Sequence, residues 1–288
     1  MPPLSRRQFL LAGAGLAGLA AVGACGRGDD EGRSGAGGTA TTAAGAGRFS
    51  LVVASFTHVA GIDQRLTFAL LTAQRSGPLP IEGPVEVAID GAPVESTLHS
   101  DGTPLPYLLV RHRFADAGPV EVSATYGGET AEAGVMVSAP DEVKVPYPGT
   151  AMIAAPSPTP ADPLGVDPIC TADPPCPLHD VSLDAALGEQ RPLAVLFATP
   201  ALCQSRLCGP VLDTLLEQRE AFADRVRFLH VEIYTDRTGE TLAPTVQAYN
   251  LAAEPVLFLA GADGTVSERL DNAFDRVEAR AALERLVA

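Results

Sequence analysis

The pattern of apolar and polar positions changes character along the chain. From Phe49 to about Ser138, short runs rich in β-branched residues alternate with turn signals. "FSLVVASF", "RLTFALLTA", "VEVAID", "YLLVRHRF", "VEVSATY" and "AEAGVMVS" read as strands, punctuated by Asp90-Gly91, Asp101-Gly102 and Gly127-Gly128. No helical period of useful length interrupts them. About seven short strands in roughly 90 residues predict an antiparallel β-sandwich over 48–138. His58, His99 and His112 fall within it and read as exposed strand or loop histidines, since a metal site would need them to converge.

Ala139 to Pro168 carries eight prolines in 30 residues. Proline removes backbone donors and favours extended chain, so 139–168 reads as a semi-rigid linker. Parts of it, such as "VPYPGTAMIA", have the composition to pack against a domain.

From Ile169 the pattern changes again. "LAVLFA" (193–198) is a continuous apolar run of the kind found in a central strand buried on both faces. "VLDTLLEQREAF" (211–222) places Val211, Leu212, Leu215, Leu216 and Phe222 largely on one helical face. "VRFLHVEIY" (226–234) and "PVLFLA" (255–260) read as strands, with "ETLAPTVQAYNL" (240–251) between them as a helix in which Pro244 is a potential break. Asp263-Gly264 then turns the chain into a paired strand, "TVSERL", before an amphipathic helix over 274–287. The predicted order is β-α-β-α-β-β-α over 169–288.

The first residues stand apart from any fold. Arg6-Arg7 precedes a mildly apolar stretch, Leu11 to Ala24, too short and weak for a stable membrane span. Residues 1–24 read as an export signal whose arginine pair resembles the twin-arginine type. Val22-Gly23-Ala24-Cys25 looks like a bacterial lipobox, which makes Cys25 the lipid attachment point and first mature residue. The Gly, Ala, Thr and Ser of 25–47 read as a flexible tether. The expected location is extracytoplasmic, anchored to the bacterial cell membrane as a lipoprotein.

Charge narrows the partners. The 288 residues carry a net charge of −15; without Arg6 and Arg7, 18 basic residues stand against 35 acidic ones, a net −17. That opposes binding to nucleic acid or to an anionic membrane surface, so the membrane is reached through the lipid alone.

The remaining cysteines are Cys170, Cys176, Cys203 and Cys208. Outside the cytoplasm disulfides persist, and the spacing favours two local pairs among the three possible connectivities. Cys170 and Cys176 bracket a turn rich in proline and aspartate and read as a structural disulfide. His179 follows as Cys-x-x-His, but a four-ligand metal site there would need a fourth residue from elsewhere.

The C-terminal element order, with a cysteine pair after its first strand, resembles the thioredoxin family over roughly 178–288. Cys208-Gly209-Pro210-Val211 is similar to that family's Cys-Gly-Pro-Cys with Val in the last place, and Glu254-Pro255 stands where it carries a cis-proline facing the cysteines. The strand count and spacing over 48–138 resemble a sandwich of immunoglobulin-like type, and with no cysteine there the antibody disulfide is excluded. The expected architecture is therefore an N-terminal all-β immunoglobulin-like sandwich and a C-terminal α/β thioredoxin-like fold. The departure is spacing. Five helical positions rotate by about 500°, so two sulfurs on one regular helix would point about 140° apart. Cys203 must lie in the loop before the helix, and Gly209-Pro210 suits a helix start.

A helix N-terminus favours thiolate, and on that ground Cys208 is the more reactive sulfur with Cys203 as resolving partner. The family's order, with the strand-proximal cysteine as nucleophile, gives the reverse. The resemblance implies thiol–disulfide exchange on protein substrates, with Cys203, Cys208 and Pro255 as site residues and no cofactor. The alternatives are a copper chaperone of thioredoxin fold using Cys203, Cys208 and His230, and a non-catalytic lipoprotein with an inert 203–208 bond. Thioredoxin-fold copper chaperones use Cys-x₃-Cys and a histidine near the later strands; here the spacing is one longer, and no histidine follows His230.

Overall fold

The computed structural model describes residues 47–288. The export signal, Cys25 and nearly all of the expected tether lie outside the described residues. Among those described, no helix is long and apolar enough to cross a membrane.

Two antiparallel sheets form the N-terminal part. One runs β1 (Phe49–Val53), β3 (Asp63–Thr72), β7 (Tyr107–Arg113), β6 (Thr97–His99). The other runs β2 (His58–Val59), β9 (Glu129–Ser138), β8 (Gly118–Tyr126), β4 (Glu86–Ile89), β5 (Ala92–Val94), with β2 parallel to β9. Leu51, Leu66, Phe68 and Leu70 of the first sheet pack against Val87, Ile89, Val122, Val135 and Val137 of the second. β8 and β9 are joined by Gly127-Gly128, both at positive φ, as a tight two-residue hairpin requires. β9 alternates as a half-solvated strand should: Ala133, Val135 and Val137 are buried and Met136 is exposed.

β3 does not alternate, because Gln64 to Leu70 is buried on both sides. Leu66, Phe68 and Leu70 enter the sandwich core. The opposite face carries Arg65, which reaches the C-terminal half.

That half is built on a mixed sheet ordered β11 (Arg227–Glu232), β10 (Leu193–Ala198), β12 (Val256–Ala260), β13 (Val266–Asp271). β10 and β11 are parallel, and β12 and β13 add antiparallel. Its helices are α1 (Leu183–Gly188), α2 (Cys208–Phe222), α3 (Pro244–Ala248) and α4 (Arg276–Leu286). Every residue of β10 is buried because both sheet faces are covered. Val195 and Phe197 meet residues of α1 and α3, while Ala194, Leu196 and Ala198 meet those of α2 and α4. Each large side chain so buried contributes about 1.5–3 kcal/mol.

The proline-rich stretch is packed rather than free. Gly149 donates to Val266 O and Met152 to Gly264 O, while Val266 N donates back to Thr150 O, each at 2.8 Å. Met152, Ala155 and Val166 belong to the core beneath. Proline keeps the strap from forming a regular ladder, but its non-proline residues still pair with the exposed side of β13.

Polar groups tie the halves together. Arg65 pairs with Glu278 at 2.6 Å, both almost wholly buried, and donates to the carbonyls of Asp271 and Ala273. Tyr107 O–H also donates to Glu278. Asp271 accepts from Phe56 N–H at 2.9 Å, and Arg269 binds Thr57 O at 3.0 Å.

Candidate functional site

The site lies where β10 ends. After Ala198 the chain makes two turns, closed by Leu202 N–H to Thr199 O at 3.2 Å and Arg206 N–H to Cys203 O at 3.3 Å. Arg206 takes a positive φ of 60°. Helix α2 begins at Cys208 itself, capped by Leu207, with Pro210 inside its first turn where no intrahelical donor is lost. The loop folds Cys203 back onto the helix start, and Cys208 N–H donates to Cys203 Sγ at 3.3 Å. The Cys-x₄-Cys spacing is thereby closed.

The two sulfurs sit in unlike surroundings. Cys203 is half-buried, with Ser205 Oγ 3.2 Å from its sulfur. Its thiol is lowered to about 6, first by its contact with the Cys208 side chain, then by Ser205 and the amides of Cys208 and Leu207, which together outweigh its partial burial. Cys208 is fully buried and its thiol is pushed well above the ordinary range, mainly by desolvation and then by Cys203 and Glu254. The preference for Cys208 as thiolate is thus reversed. Its side chain points into the core, and loss of solvation there exceeds what the helix terminus supplies.

Glu254 completes the group. The Cys208 thiol donates to Glu254 Oε2 at 3.4 Å. Burial, followed by the negative Cys203 nearby, holds the Glu254 carboxyl well above the usual carboxylate range. The Glu254–Pro255 peptide is cis, and Pro255 is buried at the start of β12. In sequence, Glu254 served only to mark the proline. A carboxylate directly preceding a proline that faces two cysteines was the available signal for its role.

His230 is not part of this site. On β11 its Nδ1 lies 3.4 Å from Cys176 Sγ and 3.8 Å from Cys170 Sγ. Glu254, rather than a histidine, is the third donor beside Cys203 and Cys208, so the copper alternative loses the nitrogen ligand assigned to it. Cys170 and Cys176 are free thiols here, not a disulfide, and His179 Nε2 stands 3.3 Å from Cys176 Sγ. Cys170, Cys176 and His179 stand together in the sequence, but the fourth residue, His230, arrives from a strand 51 positions after His179.

The sandwich histidines form no such cluster among the described residues, and none is exposed as expected: His58 and His99 are buried and His112 is half-buried. His58 is buried against Ser55, and burial lowers its pKa to about 4. His99 stacks on Tyr107 and pairs with Asp275 at 2.9 Å.

No family model and no curated protein matches the chain. Among solved structures, the C-terminal domain of a protein described as a thiol-disulfide oxidoreductase from Bacteroides thetaiotaomicron is similar at 13% identity and a TM-score of 0.32, over 49% of this chain and 95% of that one. The filamin domain of Lin-41 is similar at 16% identity and a TM-score of 0.24, over 32% of this chain and 92% of that one. Tandem Ig repeats of Dlar are similar at 17% identity and a TM-score of 0.23, over 38% and 56%. TM-scores this low carry no argument, and function has to be read from the site's own chemistry.

Proposed function

We propose that the chain is a thiol–disulfide exchange protein, with a thioredoxin-like C-terminal unit and an immunoglobulin-like sandwich, held outside the cytoplasm by lipid at Cys25. The observation that carries the reading is the asymmetry of the pair: an accessible, lowered Cys203 beside a buried, raised Cys208 in contact with Glu254. An inert loop staple has no need of a proton acceptor at one sulfur.

The steps follow from that asymmetry. The Cys203 thiolate attacks a disulfide sulfur of a protein substrate, a mixed disulfide forms and one substrate thiolate leaves. Cys203 thereby loses its charge. One of the causes that raises Glu254 is removed, along with two of those that raise Cys208. With Cys203 neutral, Glu254 gives its own proton up to solvent and, as a carboxylate, takes the Cys208 proton; the new Cys208 thiolate then attacks Cys203 Sγ. The second substrate thiolate is released and the Cys203–Cys208 disulfide remains. The substrate gains two electrons, and the reverse sequence oxidises a substrate dithiol.

The test is trapping. The Cys208→Ser variant should accumulate a mixed disulfide through Cys203 with a disulfide-containing peptide, detected by mass, while Cys203→Ser should form none. Failure of Cys208→Ser to trap any adduct would favour the non-catalytic reading.

A further inference from the structure

Cys170, Cys176, His179 and His230 converge on one buried point, and nothing in the exchange chemistry uses them. Their donor atoms all lie within 4.8 Å of one another, and all four residues are buried. Tetrahedral zinc with sulfur at about 2.3 Å and nitrogen at about 2.0–2.1 Å requires donors about 3.3–3.8 Å apart. The separations here are 3.3 Å from Cys176 to His179, 3.4 Å from Cys176 to His230 and 3.8 Å from Cys170 to His230.

The surroundings suit ligation as well. His230 Nε2 lies 3.0 Å from Ala198 O, so it carries the proton and leaves the Nδ1 lone pair directed at the sulfurs. Cys176 N–H donates to Cys170 Sγ at 3.3 Å, a bond that supports a thiolate. Two thiolates and two neutral imidazoles would cancel the charge of a divalent ion, which suits a site closed to solvent. Four protein ligands leave no open position, the mark of a structural rather than a catalytic zinc site.

We propose that these four residues form a Cys₂His₂ site for one zinc ion. The site holds the 169–179 segment against β11, where His230 N–H meets Leu178 O at 3.0 Å. It also braces the redox loop, because Ala198 ends β10 and Ala201 N–H donates to Thr171 Oγ1 at 3.2 Å.

The experiment uses the full chain, purified with reductant and dialysed against zinc-free buffer. One zinc per chain should remain, measured by elemental analysis. Cobalt(II) exchanged into the same protein should show the strong visible bands of tetrahedral coordination with thiolate charge transfer. Losing an outer partner of a metal ligand costs about 10–100-fold in affinity, so Cys176→Ser and His230→Ala should each lose more than that. The Cys203→Ser, Cys208→Ser double variant should keep its zinc. The cobalt spectrum needs no variant, so a misfolded mutant leaves the test intact. Absence of bound metal, a 170–176 disulfide formed in the presence of zinc, or loss of zinc in the double variant would each overturn the proposal. None of these depends on whether the Cys203–Cys208 pair exchanges.

Discussion

At the sulfur atoms, burial outweighs the helix dipole. A helix terminus supplies about 0.3–1 kcal/mol to a nearby charge, whereas full burial can move a pKa by about 3–5 units. Cys208 stands at the helix start and is still the protonated partner. Cys203, in the loop, collects the hydrogen bonds. Alkylation of Cys203 in the reduced protein should therefore rise with pH about a midpoint near 6 and be almost complete at neutrality; a midpoint near the ordinary thiol value would contradict the geometry. Glu254→Gln should leave that first attack nearly unchanged and slow release of the trapped peptide, by about 10²-fold or more if Glu254 is the base, as stopped-flow measurement of the second step would show. The cysteine pair and Pro255 were legible as residues in the sequence. Which sulfur faces solvent was not, because spacing places a side chain along a helix without saying what covers it.

Elements whose pattern matched their burial were legible as well. β10 reads as a strand buried on both faces and is one, whereas helix α4 forms where its pattern predicts but exposes Val277 and buries Glu278, which pairs with Arg65. Helix α1, with only six residues, offered too few turns for a period to register. The 240–251 segment shrank to Pro244–Ala248, since Pro244 opens the helix at its first turn instead of breaking it midway. β3 looked like half of a sandwich, yet its second face is buried against the C-terminal half. The cap of α4 belongs to this scale. Asp275 accepts from Glu278 N–H at 2.8 Å and also bonds His99 and Asp101 N–H. Asp275→Ala should lower stability by the cap's worth of about 0.5–2 kcal/mol and leave His99 without its partner, measured by urea denaturation.

In the whole molecule, the sandwich and the α/β half share a buried polar seam beside helix α2. Leu207, the cap of α2, packs with Tyr107 of the sandwich and Ala273. Removing one partner of a buried ion pair costs about 3–5 kcal/mol, so Glu278→Ala should destabilise the protein by that order. Burial works to raise Glu278, but the Arg65 guanidinium and the Tyr107 hydroxyl more than offset it and hold it below the usual range. Arg269 does the same for Asp271. These depressed carboxyls stabilise the fold above the ordinary carboxylate pKa of about 4, and that contribution is lost as pH falls through their lower native values. Acid unfolding of the wild type should thus be steeper than that of Glu278→Ala. Pairings across more than 200 positions, such as Arg65 with Glu278, leave no trace in a local pattern.

The central claim is that the Cys203–Cys208 bond turns over, and its reduction potential tests that most directly. Equilibrating the soluble part of the mature chain with defined glutathione or dithiothreitol ratios should give a potential between about −120 and −270 mV, the span of exchange proteins. A potential below about −300 mV, where structural disulfides lie, would contradict the account.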